Sequence, residues 1–280
     1  MLSAVVPNKD GAAVLRRCLE HLAAAGVGDV LVVDDGSADG SPEEAAALGA
    51  RVLRSPGAGF AAAVDHGVAE AAGSLLLVLN SDAFVRPETP GLLAEALERD
   101  AGLALCAAAL EDEQGNRMRT FGRDLTLVHA LRNAVSLPPA PPAALGDGLQ
   151  DVEFVPLACA LVRRDAWEAV GGLDERYRFY FEDYDLCWRL RQADHRLAVR
   201  WDARAVHLEG GSSRARGPHP WFRRFHESRL RYLRKRYPLA WPLYLALWVP
   251  SALVHAALWL VRGDRAWAAA YVRSALAGLR

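Results

Sequence analysis

Apolar residues fall along this chain in two rhythms. Short unbroken runs, at Leu2–Pro7, Val30–Val33, Val52–Leu53, Leu75–Leu79 and Leu103–Ala109, alternate with stretches where they recur every three or four positions. The runs predict buried strands and the spaced stretches predict helices. Helices are expected over Ala12–Ala25, where Val14, Leu15, Cys18, Leu19 and Leu22 share a face, over Phe60–Ala72, and over Pro87–Leu97. Another is signalled by Ser41 at an N-cap position, Pro42 at the first helical position and Glu43–Glu44 in the first turn. Strand–helix units of this length predict an α/β fold with a mostly parallel central sheet covered on both faces. Ligands of such sheets bind beyond the carboxyl ends of the strands.

The pattern loosens after residue 110. Glu111–Gly122 is polar and turn-like, and Pro138–Pro142 with Gly146–Gly148 predicts a loop. A strand over Phe154–Val162, a helix from Asp165, a helix running through Arg191 and a strand at Leu197–Val199 follow. Gly210-Gly211-Ser212-Ser213 reads as a mobile loop. Trp241–Val261 then runs 21 positions without a formal charge. As a helix it would be about 31 Å long, enough for a bilayer core of ~30 Å. Pro242, Pro250 and His255 weigh against a simple span, and helices packed on the body of the protein are the alternative.

Composition narrows the picture. A chain of 280 residues, 52% hydrophobic and 24% charged, is neither disordered nor fibrous. The expected division is a catalytic domain over residues 1–213 and a helical tail over 214–280. Cys18, Cys106, Cys159 and Cys187 form no C-x-x-C pair, which excludes a zinc ribbon or disulfide framework and suits a reducing compartment. The N-terminal strand has no basic region before it, so no signal peptide is expected. The net charge of −1 hides a division: residues 1–211 hold 20 Lys and Arg against 32 Asp and Glu, residues 212–280 hold 13 against 2. Nine of those cations lie in Arg214–Arg236, interleaved with Trp221, Phe222, Phe225 and Tyr232. A basic, aromatic flank beside an apolar run predicts attachment to the inner leaflet with the catalytic domain cytoplasmic. No nucleic-acid partner is expected.

Four groups carry candidate chemistry. Asp34-Asp35 ends a buried run, where a carboxylate can accept from a pyrimidine N–H or ribose hydroxyls; a turn or helix cap is the alternative. Asn80-Ser81-Asp82 ends another, and a hard divalent cation takes one or two carboxylates together with substrate phosphates. In Phe179–Asp185 three carboxylates lie among four aromatic rings, and desolvation there would raise the basicity that a general base needs. His207 follows the strand expected at Leu197–Val199 and, alone, suits a structural role better than that of a ligand.

Taken in order, V-V-P-N-K-D-G, V-V-D-D-G-S-x-D-G-S, G-x-G-F-x-x-A, L-L-L-V-L-N-S-D, G-G-L-D-E, F-x-E-D-x-D-L and H-x-x-G-x-S resemble the family 2 glycosyltransferases, and among them the bacterial rhamnosyltransferase-like branch. The match covers about residues 2–213. It implies a GT-A fold and an inverting transfer from a nucleotide-sugar. By position, Asp35 would bind the base and Pro7 would touch it through its backbone, with Asn8, Asp34, Gly59, Asn80 and Ser81 completing the donor site. Asp82 and His207 would hold a divalent cation, Mg²⁺ or Mn²⁺. Asp183 would be the catalytic base, and Glu182 would orient the loop or the acceptor. The implied donor is dTDP-rhamnose, then UDP- or GDP-sugars, and the implied acceptor a lipid-linked or cell-surface glycan precursor. Departures are Asn80 at the first D-x-D position, Lys9 where an aromatic often stacks on the base, and Asp10 and Asp65 in place of Asn. Two other classes compete. A nucleotidyltransferase would need a Gly-rich phosphate loop that Val5–Gly11 lacks, and a silent binding module would have lost Asp82, Asp183 or His207. A dinucleotide oxidoreductase is disfavoured, because Gly57–Phe60 lacks the full G-x-G-x-x-G.

Overall fold

The computed structural model describes residues 1–55, 57–118, 121–135, 146–177, 179–208 and 218–278. In chain order these form β1 (Leu2–Asn8), α1 (Leu15–Ala24), β2 (Asp29–Asp34), α2 (Ser41–Ala47), β3 (Arg51–Arg54), α3 (Phe60–Glu70), β4 (Leu75–Leu79), β5 (Ala83–Val85), α4 (Thr89–Arg99) and β6 (Leu103–Glu111). Then come α5 (Leu127–Ala134), β7 (Leu149–Asp151), β8 (Cys159–Arg163), α6 (Arg164–Ala169), α7 (Glu182–Gln192), β9 (Arg196–His207), α8 (Pro218–Arg236), α9 (Trp241–Val261) and α10 (Arg265–Gly278). The chain divides into two compact units: Met1–Asp124, Ala143–Arg178 and Glu182–Ser212 in the first, Leu125–Pro142, Phe179–Phe181 and Ser213–Arg280 in the second.

The first unit is built on a nine-stranded sheet ordered β3-β2-β1-β4-β8-β6-β9-β5, with β7 on β9. Strands β3, β2, β1 and β4 are parallel, as are β6 and β9; β8, β5 and β7 run against their neighbours. Alternation along each apolar run sends side chains to opposite faces. Val5, Val33, Leu76 and Val78 meet α3, α6 and α7 through Val64, Val68, Trp167, Leu186 and Leu190. Ala4, Val6, Leu77 and Leu79 meet α1 and α4 through Leu15, Cys18, Leu22, Leu93 and Leu97. A Cβ on Gly67 would fall 2.4 Å from a Val5 methyl and 2.8 Å from a Val33 methyl, so α3 touches the sheet at its backbone. The chain steps outward from β1 to β3 and returns to β4 on the other side of β1. That reversal opens a crevice at the carboxyl ends of β1 and β4, where such sheets bind their ligands.

Strand β9 is far longer than Leu197–Val199. Its outer residues Arg200, Asp202 and Arg204 interrupt the apolar run, while Leu197, Val199, Trp201, Ala203 and Ala205 stay buried. A register shift opposite Ala108 and Ala109 bends it, so that its last residues pair with β5, His207 facing Ala83. Strand β8 begins only at Cys159: Pro156 has no N–H to donate, and Phe154 keeps a single bridge to Gly122. Ser41 is the first residue of α2 rather than its cap, a position taken by Gly40 at φ 80°. Helix α5, eight residues capped by Thr126 Oγ1 accepting from the His129 N–H at 3.3 Å, and the three-residue β5 and β7 are too short for a periodic pattern to signal them. The loops expected at 138–142 and 210–213 lie outside the described residues.

In the second unit α9 packs on α10 and α5, and α10 on α8. Tyr244, Trp248, Ala252 and Ala256, four apart, form the buried stripe of α9. Leu243, Leu253, Val254, Leu258, Leu260 and Val261 of the same helix are exposed.

Candidate active site

Three strand ends build the first part of the site. Asn8 closes β1 opposite Asp34 of β2, and the Asp35 N–H donates to Asn8 O at 2.8 Å. Asp34 is fully buried and accepts from the Ser37 N–H at 3.2 Å and from Arg54 at 3.4 Å, which fixes the D-D-G-S turn. Asp35, the next residue, accepts from Ser55 Oγ at 3.0 Å and from the Gly59 N–H at 3.4 Å. Asp35 and Gly59 thus share one corner, and Pro7 lies one register step back beside Val33. Lys9, which replaces an aromatic common at this position, donates to the Asp35 carbonyl at 2.6 Å. Asn8 donates to Ser41 Oγ at 2.8 Å and braces α2 from beneath. Arg54 and Ser55 were not among the expected residues; their signal is a third strand end, after β3, on the same edge of the sheet.

The second part lies at the β4–β5 turn. Leu208 N–H donates to Asp82 O at 3.1 Å, which ties the end of β9 to this turn. His207 Nε2 comes within 3.3 Å of Asp82 Oδ1 and within 3.3 Å of the Asn80 amide nitrogen. Ser81 Oγ faces Gly11 across the crevice, 3.6 Å from where a Cβ on Gly11 would stand. One ring nitrogen cannot donate to a carboxylate and accept from an amide at once. A divalent cation would resolve the conflict by taking the carboxylate oxygen and the ring nitrogen together, and the Asn80 amide, turned over, presents its oxygen. The buried His207 Nδ1 has no hydrogen-bond partner. Among the described residues no group of three or more His, Cys, Asp or Glu converges, so substrate oxygens or water would complete the shell. The donor set fits Mg²⁺ or Mn²⁺ on those terms.

The third part is the start of α7. Glu182, Asp183 and Asp185 occupy its first turn, where the helix dipole favours negative charge. Glu182 and Asp185 are buried, and Asp183 is half-buried, crowded by protein yet still reached by solvent. Burial pushes the Asp183 carboxyl up to about 7, against the backbone N–H groups of Tyr184, at 2.8 Å, and of Asp183 itself. Burial, then the neighbouring Asp183, pushes Glu182 up as well, and Glu182 Oε2 has no hydrogen-bond partner. Tyr184 stacks on Phe154 with ring centres 3.7 Å apart. Asp185 instead pairs with Arg189 at 2.7 Å and is structural. The turn before α7 is pinned from α3: Asp65 accepts from the Leu173 N–H at 3.0 Å and from the Trp167 indole at 3.2 Å. Gly172, at φ 67°, leaves the room this needs, since a Cβ there would lie 2.5 Å from Asp65 Oδ1.

A parallel sheet reversing at β1 and β4, acidic strand ends at that reversal and an acidic helix start define a GT-A nucleotide-diphospho-sugar transferase fold. The chain belongs to glycosyl transferase family 2, whose sequence profile matches residues 3–171. It is 29% identical over 254 residues to the N-acetylglucosaminyl-diphospho-decaprenol L-rhamnosyltransferase of Mycobacterium tuberculosis, covering 80% of this chain and 82% of that one. The pre-mycofactocin glycosyltransferase of the same organism is 31% identical over 245 residues, 78% of this chain and 48% of that one. Among solved structures, the mannosyltransferase PcManGT from Pyrobaculum calidifontis, in complex with GDP-Man and Mn²⁺, shares the fold at a TM-score of 0.62 and 16% identity, over 99% of this chain and 86% of that one. GalNAc-T7, crystallised with UDP, GalNAc and Mn²⁺, does so at 0.63 and 15%, over 83% of this chain and 47% of that one.

Proposed function

We propose that this glycosyltransferase moves a sugar, rhamnose in the first instance, from a nucleotide-sugar to a lipid-linked glycan acceptor by a single inverting displacement. Asp35, with the backbone of Pro7 and the corner formed by Ser55 and Gly59, receives the base and ribose. Asp82 and His207, with Asn80, would hold a divalent cation, which when bound supplies positive charge to the departing diphosphate. Asp183 takes the proton of the acceptor hydroxyl as that oxygen attacks the anomeric carbon. Glu182, buried beside it in the first turn of α7, orients the loop or the acceptor. The observation that carries this reading is the place of Asp183, in the acidic first turn of α7, crowded by protein yet still reached by solvent. Kinship with a rhamnosyltransferase named for an N-acetylglucosaminyl-diphospho-decaprenol acceptor supports the donor and acceptor classes. The exposed leucines of α9 and the cations of α8 support docking on the inner leaflet, with catalysis on the cytoplasmic side.

The test is a panel of dTDP-, UDP- and GDP-sugars offered with Mn²⁺, Mg²⁺ or chelator. The reading expects cation-dependent turnover of one of them, dTDP-rhamnose first. Unchanged turnover in excess chelator would remove the cation from the account.

A further inference from the structure

Two consecutive bulky residues, Tyr180 at φ 68° and Phe181 at φ 70°, lie in the left-handed region immediately before Glu182 and Asp183. L-residues with large side chains avoid that region, and such a pair persists only where its surroundings enforce it. The enforcing contacts come from one face of α8. Ser228 Oγ donates to the Phe179 carbonyl at 3.0 Å. The Phe225 ring stands 5.7 Å from that of Tyr180 and 5.3 Å from that of Phe181, and the Tyr232 ring 5.6 Å from that of Phe181. Phe225, Ser228 and Tyr232 are three and four positions apart, the spacing of a single helix face. Phe181, Ser228 and Tyr232 are buried, so the clamp is part of the packed interior of the second unit. Residues 179–181 belong to that unit, and the chain passes back to the first unit at Glu182, one residue before Asp183.

We infer that Phe225, Ser228 and Tyr232 of α8 are positioning residues for the catalytic base, holding the Phe179–Phe181 strap so that the chain delivers Asp183 in its working orientation. The inference rests on the assignment of Asp183 as the base. It gives the C-terminal helices a part in the chemistry beyond any attachment to a surface. Relaxing the strap lets the first turn of α7 swing, which slows transfer and leaves the strand-end donor site intact.

The test uses the full chain with whichever nucleotide-sugar of the dTDP-, UDP- and GDP- panel the parent turns over. Phe225→Ala and Ser228→Ala should each lower kcat at least tenfold while donor KM stays within twofold. Phe225→Tyr, which keeps the ring, should restore kcat. Melting temperature and far-UV circular dichroism show that the folded fraction is unchanged, and Ser228→Ala, the smaller change, serves if Phe225→Ala folds poorly. Parental kcat in Ser228→Ala and Phe225→Ala, or a loss that merely follows the unfolded fraction, would overturn the clamp. Asp183→Asn, run alongside, separates the two claims. Parental transfer by that variant overturns the base assignment, whereas its silence with clamp variants at full rate overturns the clamp alone.

Discussion

The Asp183 carboxyl decides most at the residue scale. A base held at about 7 is half ionised near neutral pH, so transfer should rise as pH climbs through 7 and fall away below it. Asp183→Asn keeps the size and the bond from the Tyr184 N–H but cannot take a proton. Transfer should fall at least ~10²-fold, with donor affinity within a few-fold of the parent. The same substitution carries a stability signature. A carboxyl whose folded-state value is raised from 3.8 contributes stability that is whole below that pH and lost as pH rises through about 7. The neutral amide suffers no such loss, so Asp183→Asn should melt higher than the parent at pH 8 and draw level with it near pH 4. Asp82→Asn is a separate matter: it removes the carboxylate that faces His207 at 3.3 Å and should weaken cation-dependent donor binding, measured calorimetrically, while the fold is kept. Much of this site can be read from the chain, because carboxylates that follow apolar runs lie at strand ends. The division of labour between Asp34 and Asp35 cannot. It depends on which way each side chain leaves the strand, one into the turn and one toward Ser55 and Gly59.

Helix α7 shows what holds the site at the element scale. Arg189, one turn on from Asp185, pairs with it at 2.7 Å and also donates to the Val170 carbonyl at 2.6 Å, joining α7 to the end of α6. Asp185 has no exposed surface and Arg189 is 17% exposed, so removing the cation takes away the ion-pair partner of a buried carboxylate. Arg189→Met should cost about 3–5 kcal/mol in chemical unfolding, far beyond the scale of an exposed pair. A cost below 1 kcal/mol, on the order of a surface pair, would show that Asp185 finds water or another partner. The parallel half of the sheet was legible because each of its strands is an apolar run met by a helix of matching period. Strand β9 was only partly so: its outer face is charged, and its partners β5 and β6 lie more than ninety residues back in the chain, beyond the reach of any local pattern. The strap at 179–181 was invisible for the same reason, since its conformation is set by α8 more than forty residues on.

At the scale of the whole molecule the question is where the protein works. Helix α9 is long and apolar enough to cross a membrane, yet one of its faces is buried against neighbouring helices. The same helix exposes Leu243, Leu253, Val254, Leu258, Leu260 and Val261, apolar side chains of the kind that mark an interaction site. Lying along a leaflet with α8 cations beside anionic headgroups suits it better than crossing. Full-length protein should therefore sediment with phosphatidylglycerol vesicles at low salt. The triple substitution of Leu253, Leu258 and Leu260 by Gln should leave it in the supernatant while it still consumes sugar nucleotide. Equal sedimentation of parent and variant would place the contact elsewhere.

The central claim is that this family 2 chain transfers a sugar by means of Asp183, and one experiment addresses it directly. Radiolabelled nucleotide-sugar is incubated with Mn²⁺, an N-acetylglucosaminyl-diphospho-polyprenol acceptor and either the parent or Asp183→Asn, and label in the lipid fraction is counted. The account predicts labelled lipid from the parent with dTDP-rhamnose, and at least ~10²-fold less from the variant. Label appearing at the parental rate with Asp183→Asn, or none from the parent with any dTDP-, UDP- or GDP-sugar, would contradict it.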